Sequence, residues 1–278
     1  MKKIFLYTVA IITTFSTSSC TNDGVQNISR SEESSNRIAS FEDYYKFISS
    51  DTKNKVIIQN IGSAYTNEKI QSVSAISKGG NKVLEFFANG KNYTSDKSFK
   101  GSNSTSWSSN ENVNSLYGKK LFLNYSNSRI NLSTTKGASN VANKGEEDGE
   151  LSLYIPEIIN AKVSGLVNNK IVPGTRVTWN ADNLNEKGVV FGVEYSPLAQ
   201  TDSKIAEQNA SRIVRGTTFI DNGSYTITKE DLDKFPNGAS LSFYIGRAGY
   251  VISNDGNIEE DFSVAAYTAV RSDFDIKY

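Results

Sequence analysis

The sequence predicts a mostly β protein built as two β-rich domains, with one short helix near the start of the first. Three observations carry that expectation. Short runs of branched and aromatic residues recur from Val56 to the C-terminus, bounded by Gly, Asn, Ser or Pro. Apolar residues at helical spacing are confined to one early stretch. A break in composition over residues 134–149 divides the runs into two groups.

The helix is expected over residues 40–48. Ser40 can cap it, Asp43 stands three residues on, and Phe41, Tyr44, Tyr45 and Ile48 fall on one face. Strands follow over 56–61, 69–76 and 82–88. Asn89-Gly90, between Phe87 and Tyr93, is a two-residue hairpin signal, because both central positions of that turn take positive φ. A further pair is expected at 120–125 and 129–132, joined by Ser126-Asn127-Ser128. Residues 134–149 lack periodicity and carry Glu146-Glu147-Asp148, so they form either an interdomain linker or a long surface loop. Leu151, Leu153 and Ile155 alternate with Ser152 and Tyr154 as one more strand, which Pro156 stops. The domain boundary is placed near Glu157.

The second domain, 158–278, reads as one sandwich. Its strands are expected at 159–165, 175–180, 188–195, 211–220, 240–245 and 262–278. Asp221-Asn222-Gly223 is a turn leading into 224–227, and Thr228 to Asp231 has a capping-box pattern for one helical turn. In the last stretch Phe262, Val264, Ala266, Val270, Phe274, Ile276 and Tyr278 share one face. Arg271, Asp273, Asp275 and Lys277 share the other. With Val177-Thr178-Trp179 early in the domain and this terminal strand, 158–278 resembles the immunoglobulin-like domains of bacterial surface lipoproteins. The resemblance is one of pattern, since the usual cysteine pair is absent.

The first twenty residues give an address. Lys2 and Lys3 precede an apolar run over 4–12, then Ser16, Thr17, Ser18 and Ser19, then Cys20. Charge, apolar run and small residues in that order describe a secretory signal. The run is shorter than the roughly 20 residues that span a bilayer. With the chain's one cysteine at its end, the segment resembles the lipobox of bacterial lipoproteins, although Thr17 stands where leucine is usual. The resemblance implies lipidation of Cys20, loss of 1–19, a membrane partner through that lipid, and residence in the cell envelope at the outer membrane. Residues 20–39 are polar and read as a flexible tether.

Composition removes whole classes of function. Basic and acidic residues are equal at 30 each, and loss of 1–19 would tip the balance acidic. No basic domain emerges for nucleic acid. There is no histidine, so Ser-His-Asp and Cys-His catalysis are excluded, and a zinc site would have to do without its commonest ligand. No phosphate-binding or dinucleotide-binding glycine motif is present.

Three constellations remain. Trp107 stands in a polar run between Asn103 and Asn110. Its ring either stacks on a sugar or partner, with those amides beside it, or folds back into a core. Tyr244, Arg247 and Tyr250, spaced by Gly246 and Gly249, read either as a recognition loop or as a packed corner. Asn254, Asp255, Asn257 and Glu259 form the densest set of oxygen ligands. They suit calcium by chemistry, but their spacing is not that of an EF-hand, and a solvated hairpin turn is the favoured reading, since Asn, Asp and Gly form turns on their own account. No other cofactor is implied. The expected function is non-catalytic binding of a glycan or an envelope protein. The alternative is a structural subunit of a fimbria-like or adhesin-like assembly pairing by sheet edges. A carboxylate hydrolase ranks last, because adjacent acids such as Glu146 and Glu147 do not face each other across a cleft.

Overall fold

The computed structural model describes residues 52–63, 69–79, 82–101, 103–126, 128–135, 151–253 and 261–277. The expected signal segment, Cys20, the tether, the helix over 40–48, most of the 134–149 break and the acid-rich loop 254–260 lie outside these residues.

The protein is mostly β. The first half supplies β1 (Asn54–Ser63), β2 (Lys69–Lys78), β3 (Glu85–Ala88), β4 (Lys91–Asn92), β5 (Ser98–Lys100), β6 (Ser104–Ser109), β7 (Lys119–Ser126), β8 (Arg129–Ser133) and β9 (Ser152–Ile155). The second half supplies β10 (Ala161–Ser164), β11 (Arg176–Trp179), β12 (Val189–Tyr195), β13 (Ile213–Phe219), β14 (Ser224–Thr226), β15 (Ser240–Ser253) and β16 (Phe262–Asp275). The described helices, α1 (Ser203–Gln208) and α2 (Lys229–Leu232), fall in this second half and not near the start.

Local chemistry explains many of the boundaries. Asn89 and Gly90 take φ of 48° and 79° and turn β3 into β4. Thr228 caps α2 by accepting from the Asp231 amide, and the Asp231 carboxylate accepts from the Thr228 amide at 2.7 Å, a complete capping box. Two elements depart from expectation. The run around Trp107 is strand β6, because Thr105 and Trp107 point inward while Ser104, Ser106 and Ser108 alternate with them on the other face. The strand expected to end at Ile245 continues to Ser253, so Gly246 to Tyr250 lie mid-strand and not on a loop.

The strands make three sheets. One has eight strands in the order β13-β12-β15-β16-β1-β2-β6-β5. Two smaller sheets, β4-β3-β8-β7-β9 and β10-β11-β14, lie on it. β15 and β16 pair antiparallel over all fourteen residues, from Ser240 opposite Asp275 to Ser253 opposite Phe262. β1 runs parallel to β16, with Asn54 beside Phe262, so the first described strand is paired with the last.

Two hydrophobic cores result, both on the same face of the large sheet. The first holds Val56, Ile58, Trp107, Leu121, Ile130 and Ile155, with Phe262, Val264 and Ala266 from β16. The second holds Val177, Trp179, Phe191, Tyr195 and Phe243, with Val270, Phe274 and Ile276 from the same strand. The predicted inward parity of the C-terminal strand is thus met along its whole described length. One strand serves both cores because inward residues recur every second position. Thr268 and Arg247 occupy the inward positions where one core gives way to the other.

At this seam the chain leaving β9 crosses the large sheet. Its main chain lies so close to β15 that a Cβ on Gly249 would stand 1.8 Å from the Tyr154 carbonyl oxygen. Neither partner there is a flexible side-chain end, so the clash cannot be relieved cheaply. Gly249→Ala is expected to cost more than about 3 kcal/mol, read as a lowered urea midpoint. An unchanged midpoint would show that the two layers do not meet so closely.

Candidate functional site

The side chains singled out in the sequence do not converge. Trp107 is buried in the first core, 4 % exposed, and its indole N–H donates to the Leu84 carbonyl at 2.6 Å. A ring with both faces packed cannot stack on a sugar, so the inward alternative is the one the fold adopts. Asn103 and Asn110 are exposed beyond opposite ends of β6. Seven residues of extended chain separate them by roughly 23 Å.

Strand alternation also divides Tyr244, Arg247 and Tyr250. The tyrosines project to the outer face of the large sheet, and Arg247 projects into the seam. Its side chain is fully buried. Nε donates to the Glu157 carbonyl at 2.8 Å. Nη1 donates to the Asn180 carbonyl at 3.1 Å and to Asp221 Oδ2 at 2.6 Å. Asp221 also accepts from Trp179 Nε1 at 2.7 Å and Asn185 Nδ2 at 3.0 Å. Three donors to the buried carboxylate and three acceptors for the buried guanidinium offset part of the cost of removing both charges from water, while Nη2 is buried with no partner among the described residues. Nearby, Asp182 accepts from the Tyr154 hydroxyl at 2.9 Å and the Glu157 amide at 2.8 Å, and Thr268 Oγ1 accepts from the Ile159 amide at 3.1 Å. These bonds fix the crossing segment 154–160. Arg247 is a structural clamp.

The outer face of the large sheet carries the more open chemistry. Near its β13 end, Arg212 Nε donates to Glu194 Oε1 at 2.7 Å, and the Tyr244 hydroxyl reaches Glu194 Oε2 at 3.2 Å. Arg271 lies 5.6 Å from the Tyr244 ring centroid and contacts Ser242 at 3.0 Å and Asp273 at 3.3 Å. Burial pushes the Tyr244 hydroxyl up to about 12, against the opposing pull of Arg271. Toward the other end, Lys187 Nζ sits 4.1 Å from the Tyr250 ring centroid, and Tyr267 donates to Gln59 Oε1.

Apolar groups flank this band. Register places Ile70, Ile76, Phe99, Val214 and Ile252 on the same outer face, at 39 %, 41 %, 73 %, 36 % and 41 % exposure. Among the described residues that is more than half of the large apolar side chains left exposed. The outward parity of β16 already set Arg271 and Asp273 opposite the core. Reading β15 as a full-length strand would have added Tyr244 and Tyr250 to their face and removed Arg247 from it.

Among the described residues no three His, Cys, Asp or Glu side chains gather as a metal site. The calcium candidates Asn254, Asp255, Asn257 and Glu259 fall in the β15–β16 connection, outside the described residues. No protein-family model and no curated protein matches this sequence.

Arg247→Met should destabilise the protein by about 3–5 kcal/mol, because it strands the Asp221 carboxylate in the interior. Adding Asp221→Asn should cost much less than its effect alone, a coupling visible in a double-mutant cycle of urea midpoints. Additive losses would mean that the pair does not act as a unit.

Proposed function

We propose that this chain is an exported bacterial lipoprotein, held at the cell envelope by acyl chains on Cys20, that binds an envelope protein through the outer face of its eight-stranded sheet and carries out no catalysis. The observation that carries the reading is the one-sided placement of Ile70, Ile76, Phe99, Val214 and Ile252 around the tyrosine and arginine band. Apolar and aromatic groups with Arg, rimmed by charge, are the composition of a protein-binding surface. The signal-like segment, the single cysteine at its end and the polar stretch after it support the anchor. Lack of histidine supports binding over catalysis.

The finer architecture belongs to the same reading: two β-rich units, 40–157 and 158–278, the second immunoglobulin-like. Its support is a second core enclosed by β10-β11-β14 on one side and β13-β12-β15-β16 on the other, seven strands in layers of three and four. Glycan binding is the second reading. The Tyr244 ring, ringed by Glu194, Ser242, Arg271 and Asp273, favours it by offering an aromatic surface among hydrogen-bonding groups.

Radiolabelled palmitate should enter the wild-type protein and not Cys20→Ala, which should leave the membrane fraction. A photo-crosslinking residue at Ile76 or Phe99 in living cells should give a discrete product. The same residue at Leu198, which is 87 % exposed elsewhere, should not. Equal products from all three positions would sink the face assignment. Glycan-array binding that is lost in Tyr244→Ala would move the reading from protein to glycan.

A further inference from the structure

We propose that two copies of this chain pair through β13, edge to edge and antiparallel, about a twofold axis at Gly216. The inference rests on neither the lipid anchor nor the outer face of the sheet. Among the described residues β13 is the outermost strand of the large sheet and bonds on one side only, to β12, through seven consecutive pairs. Alternate N–H and C=O groups therefore point outward along its length. Val214, Arg215, Gly216 and Thr217 are all exposed. α1 lies toward the Ile213 end, where the Tyr195 hydroxyl reaches the Ile205 and Asn209 carbonyls, and leaves these four residues uncovered.

Sheet edges are ordinarily guarded by brevity, bulges, proline or charge. The opposite edge follows that rule: β5 is three residues long, follows Lys97 and ends in Lys100. β13 has seven residues, no proline, no bulge in its pairing, and one charged side chain, Arg215.

Its sequence is also self-complementary. In Ile213-Val214-Arg215-Gly216-Thr217-Thr218-Phe219, antiparallel pairing centred on Gly216 places apolar Ile213 against apolar Phe219, β-branched Val214 against β-branched Thr218, and its one charge, Arg215, against neutral Thr217. Aromatic with branched and branched with branched are favourable cross-strand pairs, and no like charges stand directly opposite. Twofold symmetry closes the assembly at two copies. A second copy is thus an occupant that meets two favourable cross-strand pairs on each side of the axis and no like-charge pair.

The test uses the mature chain from residue 20 with Cys20→Ser. Sedimentation velocity from micromolar to near-millimolar concentration should show a monomer passing to a dimer. Thr217→Arg sets guanidinium opposite guanidinium twice and should weaken the dimer about tenfold, while Thr217→Glu should tighten it about tenfold. Both substitutions fall on an exposed side chain, so folding should be untouched. Gly216→Cys should form an intermolecular disulfide under mild oxidation, because its copy stands directly opposite. Val214→Cys should not, because four residues separate it from its copy, roughly 14 Å. A monomer at every concentration would overturn the proposal. So would a dimer indifferent to the charge at 217, or cross-linking at 214 as fast as at 216.

Discussion

The β15–β16 hairpin is the constraint on which the rest of this protein depends. Its fourteen uninterrupted residue pairs run beneath both hydrophobic cores. Each core needs an inward residue at every second position of β16, and the strand supplies them from Phe262 to Phe274 without a break in parity. A one-residue slip would turn both cores outward together. Along the hairpin, the seam between the cores is the one place where an inward position is charged. There Arg247 binds the Glu157 carbonyl of the chain that crosses the sheet and is itself held by Asn180 and Asp221 of the second half, so the crossing is fixed by bonds as well as by shared strands.

This arrangement shapes how the fold forms. β1 has β16 as its parallel neighbour, so the large sheet cannot be completed until the C-terminal strand is in place. Pairing across such a sequence distance carries a large loop-closure cost and slows folding. It also explains the one-sidedness of the molecule. Both small sheets lie on the hairpin's inner face, so the tyrosines and aliphatics of the outer face are left to solvent or to a partner. The exposed β13 edge follows from the same order, because the sheet grows outward from the hairpin and ends there.

Much of this was legible in the sequence, for physical reasons that differ by element. The inward parity of Phe262 to Ile276 is a period-two signal in a long strand, and it held. The Asn89-Gly90 turn and the Thr228 to Asp231 box rest on local backbone chemistry, which tertiary structure did not override. β6 was hidden because its outward positions are all serine, leaving Trp107 as a lone apolar residue in a run that reads as loop. The second half of β15 was hidden by Gly246, Arg247 and Gly249. These residues suit a loop by propensity, and the strand accepts them because the glycines lie under close backbone and the arginine meets a buried carboxylate. That acceptor, Asp221, is far along the chain in what reads as an ordinary turn, so no local pattern could pair it with Arg247. The expected Tyr244, Arg247 and Tyr250 group was split for the same reason: the tyrosines face away from the arginine between them.

The central claim is that one hairpin makes the two cores a single cooperative structure, and the two tryptophans allow it to be tested. Trp107 lies in the first core and Trp179 in the second. In Trp179→Phe and Trp107→Phe variants, indole emission reports one core at a time while far-UV circular dichroism reports both. The account predicts that emission and dichroism follow a single coincident urea transition in each variant. An emission change that is complete while a second dichroism transition remains would contradict it, and would show that the cores unfold independently across the shared strands.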